Sequence, residues 1–197
     1  MNTFDEHLEE LVQTANVAEL NYKIWWIYKH ERPAYVGVMN TYLGFFRASI
    51  YAHFVAMLMA LYKLGDPRPD SASLKTLLAE AEGDPSFDPK VIMSAREKLV
   101  ALEPTWQKVR KLRHKQFAHR DRYLDYEELL ADVAITYDDF RDLIDQFFKA
   151  LNEILYYRKR TTWPRDTRTE RDTHRMLDTL KLVNKDRAPN PTAPADG

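Results

Sequence analysis

Apolar residues recur every three to four positions along most of this chain, which is the spacing of amphipathic helices. The last long segment shows the pattern most clearly. Its apolar stripe consists of Phe140, Leu143, Ile144, Phe147, Phe148, Leu151, Ile154 and Leu155. Helices are predicted over residues 4–31, 35–64, 73–82, 88–102, 104–119, 126–131 and 136–158. The chain has only five glycines, and the pattern as a whole predicts an all-α fold.

Local signals mark where several of these helices begin and end. Arg32-Pro33 predicts the end of the first helix, because the residue before a proline avoids helical backbone angles. Gly65 is the expected C-cap of the second helix. Pro104 either kinks the helix that precedes it or begins a new one. Thr136 and Asp139 have the spacing of a capping box, so the last core helix is predicted to begin there.

Composition divides the chain into three parts. Residues 1–160 carry the strong apolar periodicity and are predicted to form one helical bundle, with the apolar second helix at its centre. Residues 161–187 are mostly charged and are predicted to form a peripheral helix, which packs either on the bundle or on a second subunit. Residues 188–197 are rich in proline and alanine, and we expect a disordered tail there.

Composition also bears on location. The chain has no cysteine, so it lacks disulfides and thiolate metal sites, which fits a reducing compartment. The acidic N-terminal segment lacks the apolar region of a signal peptide. The most apolar stretch, residues 45–62, contains Arg47 and His53 and is shorter than the roughly 20 apolar residues that span a bilayer. We therefore expect a cytoplasmic protein without a membrane segment.

The most informative chemistry lies in residues 104–125, where basic side chains are concentrated. Arg113 and His119 stand six positions apart at the expected end of a helix. An arginine binds phosphate with a fixed fork of donors, and a histidine transfers protons near neutral pH. These two groups can cleave RNA without a metal ion, and His114 is expected to support them. Further RNA phosphate contacts are expected from Lys108, Arg110, Lys115 and Arg120.

Six positions on a straight helix separate two residues by about 9 Å along the axis and roughly 120° around it. Arg113 and His119 can share a pocket in three ways. In the first, the helix ends near Ala118 and His119 turns inward. In the second, the long side chain of Arg113 reaches across. In the third, a second copy of the chain supplies the partner residue across a two-fold axis. The third arrangement brings two arginines and two histidines into one cleft. One histidine would accept the 2′-hydroxyl proton and the other would protonate the 5′-oxygen, which yields a 2′,3′-cyclic phosphate.

The string Leu-Arg-His-Lys-Gln-Phe-Ala-His-Arg-Asp, residues 112–121, resembles the signature of the HEPN superfamily (higher eukaryote and prokaryote nucleotide-binding domains). Arg113, His114 and His119 match the three defining places of that signature. The continuation through residues 129–139 is similar to the AbiU-like branch, which is linked to abortive phage infection. The resemblance extends over roughly residues 5–158 in helix order and is specific over about 108–145.

This resemblance implies an up-and-down bundle of four to five core helices and a homodimer. It also implies, for many members, metal-independent endoribonuclease activity in phage defence or a toxin–antitoxin-like system. An antitoxin protein is a further potential partner. In one toxin branch the antitoxin modifies a tyrosine two places after the histidine. Asp121 stands at that place here and the nearest tyrosine is Tyr123, so the resemblance does not extend to that form of regulation.

Two other functions remain open from the sequence. One is a non-catalytic module that binds RNA or nucleotides through the same basic cleft, and the other is a helical adaptor whose tail docks on a partner. No cofactor and no metal ion is expected. His7, His30, His53 and His174 lack metal-ligand spacing, and the acidic residues between Asp138 and Asp145 fit a solvated helix face.

Overall fold

The computed structural model describes residues 3–118 and 126–187, and all regular secondary structure in these ranges is helical. The helices are α1 (Phe4–His30), α2 (Arg32–Thr41), α3 (Leu43–Gly65), α4 (Leu74–Glu82), α5 (Pro89–Ala118), α6 (Tyr126–Asp132), α7 (Tyr137–Lys159) and α8 (Thr169–Arg187). Four long helices close a ring, because α1 packs on α3, α3 on α5, α5 on α7 and α7 on α1. The predicted all-α helical bundle is confirmed.

The centre of the bundle is aromatic. Trp25 of α1 is fully buried, and its ring centroid lies 5.3 Å from that of Phe54 on α3. The same indole lies 5.0 Å from the Tyr137 ring and 5.9 Å from the Phe140 ring, both on α7. Every residue of the apolar stripe predicted on α7 is buried. Three helices thus meet around one tryptophan, which fixes their spacing through the large area that aromatic rings bury.

The last core helix begins at its predicted cap, but one break between helices differs from the prediction. The Thr136 hydroxyl accepts from the Asp139 amide at 3.1 Å, and the Asp139 carboxylate accepts from the Thr136 amide at 2.9 Å, so the predicted capping box is present. The prediction of one helix over 35–64 is wrong. Tyr42, with φ −114° and ψ 42°, separates α2 from α3. No proline or glycine stands at position 42 to signal this break.

Gly65 does not act as a left-handed C-cap, since no glycine among the described residues has a positive φ. It is the last residue of α3, and it makes room for α5. A Cβ at this position would lie 2.1 Å from Nε1 of Trp106. Because α5 continues through Pro104 as one helix, Trp106 is held against α3 at the level of Gly65.

Gly65→Ala is expected to lower the free energy of unfolding by about 1–3 kcal/mol, because the added methyl group overlaps a buried indole ring. Urea unfolding followed by circular dichroism measures this change. Gly37→Ala is the matched control, since nothing lies within 4 Å of a Cβ there. The control should be neutral or slightly stabilising. Equal stabilities for the two variants would contradict the close approach of α3 and α5.

The helix α8 packs on α1 and α2. Leu177 is fully buried, the Tyr35 hydroxyl donates to the Asp178 carboxylate at 2.9 Å, and His174 Nε2 lies 2.8 Å from the Glu31 carboxylate. The hydrogen bond with Glu31 raises the pKa of His174 above its ordinary value of 6.5, against a smaller opposing effect of burial. The predicted tail, residues 188–197, lies outside the described residues.

The helix α3 is buried on one face only, whereas its apolar pattern predicts burial on nearly all sides. Its inner face carries Phe54, Leu58 and Leu61, all fully buried. Its outer face exposes Phe45, Tyr51 and Met59. By length and composition α3 could cross a membrane, although the core helices of soluble proteins can have the same length and composition. Only 28% of its most apolar stretch of 18 residues is buried. The exposed apolar face is therefore the unusual feature of this helix.

Candidate functional site

Arg113 of α5 is half-buried and reaches toward α3. Its guanidinium carbon lies 4.1 Å from the centre of the Tyr62 ring. A cation over an aromatic face gains roughly 0.5–2 kcal/mol, depending on its exposure to water. The Nε atom of Arg113 is buried and has no hydrogen-bond partner among the described residues. The side chain is therefore oriented by the ring, and it keeps at least one donor uncommitted.

A second residue of α5, Trp106, also contacts the Tyr62 ring and fixes its position. Trp106 stacks on Tyr62 with centroids 5.7 Å apart and planes at 27°. The indole Nε1 also donates to the Tyr62 carbonyl oxygen at 3.4 Å. Trp106 and Arg113 are two helical turns apart on α5, so they share one face. The position of Arg113 thus depends on how α3 packs against α5.

Arg113 forms part of the wall of an open cleft of about 570 Å³. The polar part of the wall carries Lys63, Asp66, Arg68 and Arg113, and the apolar part carries Val17, Ala56, Met59 and Ala60. A cleft lined by both cations and apolar side chains suits an anion that also has an apolar portion. We call this space the Arg113 cleft.

Asp66 is the one acidic residue that lines the Arg113 cleft among the described residues, and it is buried. Burial by itself raises the pKa of its carboxyl. Hydrogen bonds from Arg68 and the charges of Arg68 and Arg113 outweigh that effect, and the pKa of Asp66 ends below its ordinary value. The carboxylate is therefore charged at neutral pH and holds positive groups around it.

The other described motif residues point away from this cleft or into solvent. Lys108 pairs with Asp139 of α7 at 3.2 Å, and Lys115 pairs with Asp132 of α6. Arg110 and His114 are exposed. His119 and Arg120 lie outside the described residues. Of the predicted site residues that are described, Arg113 lines the cleft, and the RNA contacts expected of the others stay predictions.

The comparison with family models decides which kind of HEPN chain this is. The HEPN family AbiU2 matches residues 1–178, a range that includes α1 to α7 and the motif from Arg113 to His119. The chain belongs to the AbiU2 family of HEPN proteins. The resemblance found in the sequence is confirmed. No curated protein and no solved structure matches the chain significantly.

The cleft of this AbiU2 chain also uses residues that the sequence motif does not contain. Tyr62, Asp66 and Arg68 lie about fifty positions before Arg113, at the end of α3 and in the loop that follows. The only sequence signal for them is the run Asp-Pro-Arg-Pro at residues 66–69, where two prolines enclose an arginine. A rigid charged loop after a helix is typical of a binding site.

The described histidines outside the motif take part in packing contacts. His7 lies 3.0 Å from the Glu80 carboxylate, and His53 lies 2.8 Å from the Asn21 side-chain oxygen. Burial lowers the pKa of His53, so it is neutral near pH 7. Within the described ranges, no three histidine or acidic side chains come together as a candidate metal site.

Proposed function

We propose that this protein is a metal-independent endoribonuclease that acts in phage defence or a toxin–antitoxin-like system. Its site would contain Arg113 and His119 from two copies of the chain. The observation that carries the proposal is the position of Arg113. The arginine of the family motif lines an open cleft and is oriented by Tyr62.

The orientation of Arg113 suits phosphate binding. A guanidinium that lies over an aromatic ring presents its N–H groups at its edges, in the plane where a phosphate accepts two hydrogen bonds. Arg68 lines the same cleft as Arg113, which favours an anion over a neutral ligand. Positive charge that is fixed in advance stabilises the additional negative charge of a phosphorane without reorganisation.

His119 would supply the proton transfers. In an RNA cleavage that uses the 2′-hydroxyl as nucleophile, one base removes the hydroxyl proton as oxygen attacks phosphorus. One acid gives a proton to the departing 5′-oxygen, so the strand breaks and a 2′,3′-cyclic phosphate remains. Two histidines perform both roles if two copies of the chain contribute one each. Dimerisation is therefore part of the proposed mechanism.

The outer face of α3 is the surface best suited to that dimer. Six uncharged residues of α3, each exposed or half-buried, follow the a and d spacing of a heptad repeat: Phe45, Ala48, Ala52, Val55, Met59 and Tyr62. We call this row the α3 seam. Phe45 is 59% exposed and Met59 is 38% exposed. The central alanines allow two helix backbones to approach closely, as a coiled-coil seam requires.

The direction of pairing follows from the position of Tyr62 at one end of the α3 seam. If two copies of α3 pair in parallel, both Tyr62 rings meet at the two-fold axis, and each carries its own Arg113. If they pair antiparallel, the two Tyr62 residues lie about 25 Å apart, because 1.5 Å of rise separates successive residues. A shared site therefore requires a parallel, two-fold arrangement.

Incubation of the purified chain with total RNA tests the proposed activity. We expect the same extent of cleavage in EDTA and in Mg²⁺, because arginine and histidine supply the charge and the proton transfers. The His119→Ala chain is the control for contaminating ribonucleases. Cleavage that requires Mg²⁺ would contradict the proposal. Salt-sensitive RNA binding without cleavage would favour the non-catalytic module instead.

A further inference from the structure

The loop between α3 and α4 holds Arg68 in a restricted conformation. Pro67 and Pro69 enclose it, and the residue before a proline is limited to extended backbone angles. The Ser71 hydroxyl donates to the Arg68 carbonyl oxygen at 2.8 Å and lies 3.2 Å from the Asp66 carbonyl oxygen. The loop therefore loses little further freedom when it binds a ligand.

The side chain of Arg68 is fixed as firmly as its backbone. Its Nε lies 3.0 Å from Oδ2 of Asp66, its Nη2 lies 2.8 Å from the same oxygen, and its amide donates to Oδ1 at 3.1 Å. The Asp66 side chain is only 3% exposed, whereas that of Arg68 is 65% exposed. One edge of the guanidinium is thus bound to a buried carboxylate, and the outer edge with Nη1 faces solvent.

Charge in the cleft is not balanced by Asp66 alone. Asp66 offers one negative charge to both Arg68 and Arg113, and both arginines line the same space. Lys63 has its own partner, Glu10, at 2.7 Å. Asp70 also acts electrostatically on Arg68 but does not line the cleft. Within the lining, two arginines therefore share one carboxylate, and an anion that enters the cleft is attracted to them.

From this geometry we infer that Arg68 is a second phosphate-binding site of the Arg113 cleft, for the phosphodiester next to the scissile one in an RNA strand. The inference takes its substrate class from the proposed function. A volume of about 570 Å³ admits more than a single phosphate group, and the apolar wall at Val17, which lies outside the α3 seam, offers a surface for a sugar or base. Asp66 acts as a positioning residue, since its buried carboxylate holds Arg68.

Binding of a fluorescein-labelled, single-stranded RNA to chains that also carry His119→Ala tests the inference, because no cleavage interferes. Arg68→Ala is expected to raise the Kd about tenfold and to reduce the slope of log K against log salt by about one. Arg68→Gln keeps a donor for Asp66, removes the charge and should show the same loss. Arg68→Lys should recover the salt slope but only part of the affinity, since it lacks the fork.

Arg96→Ala is the matched control, because Arg96 is also exposed and also paired with one carboxylate, Glu82. Thermal unfolding of each variant shows whether the loop change has harmed the fold. Binding by Arg68→Gln that equals binding by the Arg96 control would overturn the inference. Full competition by millimolar inorganic phosphate or by AMP would also overturn it, because the site would then select a small anion rather than a strand.

Failure of this inference and failure of the proposed function are distinguishable. If the wild-type chain cleaves RNA in EDTA and Arg68→Gln binds normally, only the second phosphate site is wrong. If the wild-type chain binds RNA in a manner that depends on Arg68 but never cleaves it, the phosphate site stands and the nuclease proposal fails.

Discussion

Arg113→Ala is expected to lower the rate of RNA cleavage by about a thousandfold while the chain remains folded. Loss of an arginine that stabilises a phosphoryl transition state typically has an effect of this order. The cost in stability is small, because Arg113 has no described carboxylate ion pair and loses mainly its contact with Tyr62. A cleavage assay with a defined RNA, together with circular dichroism, measures both quantities.

Two further variants make the Arg113 result specific. Arg113→Lys keeps the charge but loses the planar fork and much of the ring contact, so most of the activity should still be lost. Arg110→Ala removes an exposed arginine one turn earlier on the same helix and should reduce activity only a few-fold. If wild type, Arg113→Ala and His119→Ala all cleave RNA equally, the activity lies elsewhere or belongs to a contaminant.

A glutamate in the middle of the α3 seam is expected to abolish both dimerisation and cleavage. Ala52→Glu would bury two like charges against each other in the proposed dimer, and an unpaired buried charge is strongly unfavourable. Sedimentation analysis should show a monomer, and RNA cleavage should fall to the level of the Arg113→Ala chain. Ala101→Glu, at an exposed position of α5, is the matched control and should leave both properties unchanged.

Disulfide cross-linking shows whether the two copies of α3 pair in parallel or antiparallel. Since the chain has no cysteine, single substitutions introduce the only thiols. With a mild oxidant added, Ala48→Cys and Met59→Cys should each form a disulfide with the same residue of the second copy in a parallel dimer. In an antiparallel dimer the two equivalent positions are about 16 Å apart, beyond disulfide reach. The dimer seam would be contradicted if the wild-type chain is a monomer at the assay concentration. It would also be contradicted if the wild-type chain binds lipid vesicles and sediments with them.

The fold was largely predictable because the signals for helices are local. The apolar stripe of α7 and its Thr136 cap are contained within a few turns of sequence, and both are confirmed. The break at Tyr42 has no comparable signal, because neither proline nor glycine stands at the break itself and the glycine two places later lies inside α3. The role of Gly65 was missed for a different reason. It depends on Trp106, which contacts it only through the packing of α5 on α3.

The candidate site likewise has one part that the sequence predicts and another part that it does not. The family motif identifies Arg113 from sequence, because the motif is contained in a short run of residues. The surroundings of Arg113 depend on tertiary packing, because Tyr62 and Arg68 come from the end of α3 and from the following loop. Packing likewise decides that Lys108 faces Asp139 of α7. No periodicity or motif contains the information that joins these residues.

The chemistry of the RNA ends is the most direct measurement of the central claim. That claim is that Arg113 and His119 cleave RNA by removing the proton of its 2′-hydroxyl and protonating the departing 5′-oxygen. A defined single-stranded RNA is incubated with the wild-type chain in EDTA, and the fragments are weighed by mass spectrometry. We predict 2′,3′-cyclic phosphate and 5′-hydroxyl ends, which are absent when His119→Ala replaces the wild type. Fragments with 3′-hydroxyl and 5′-phosphate ends, or identical fragments from the His119→Ala chain, would contradict the account.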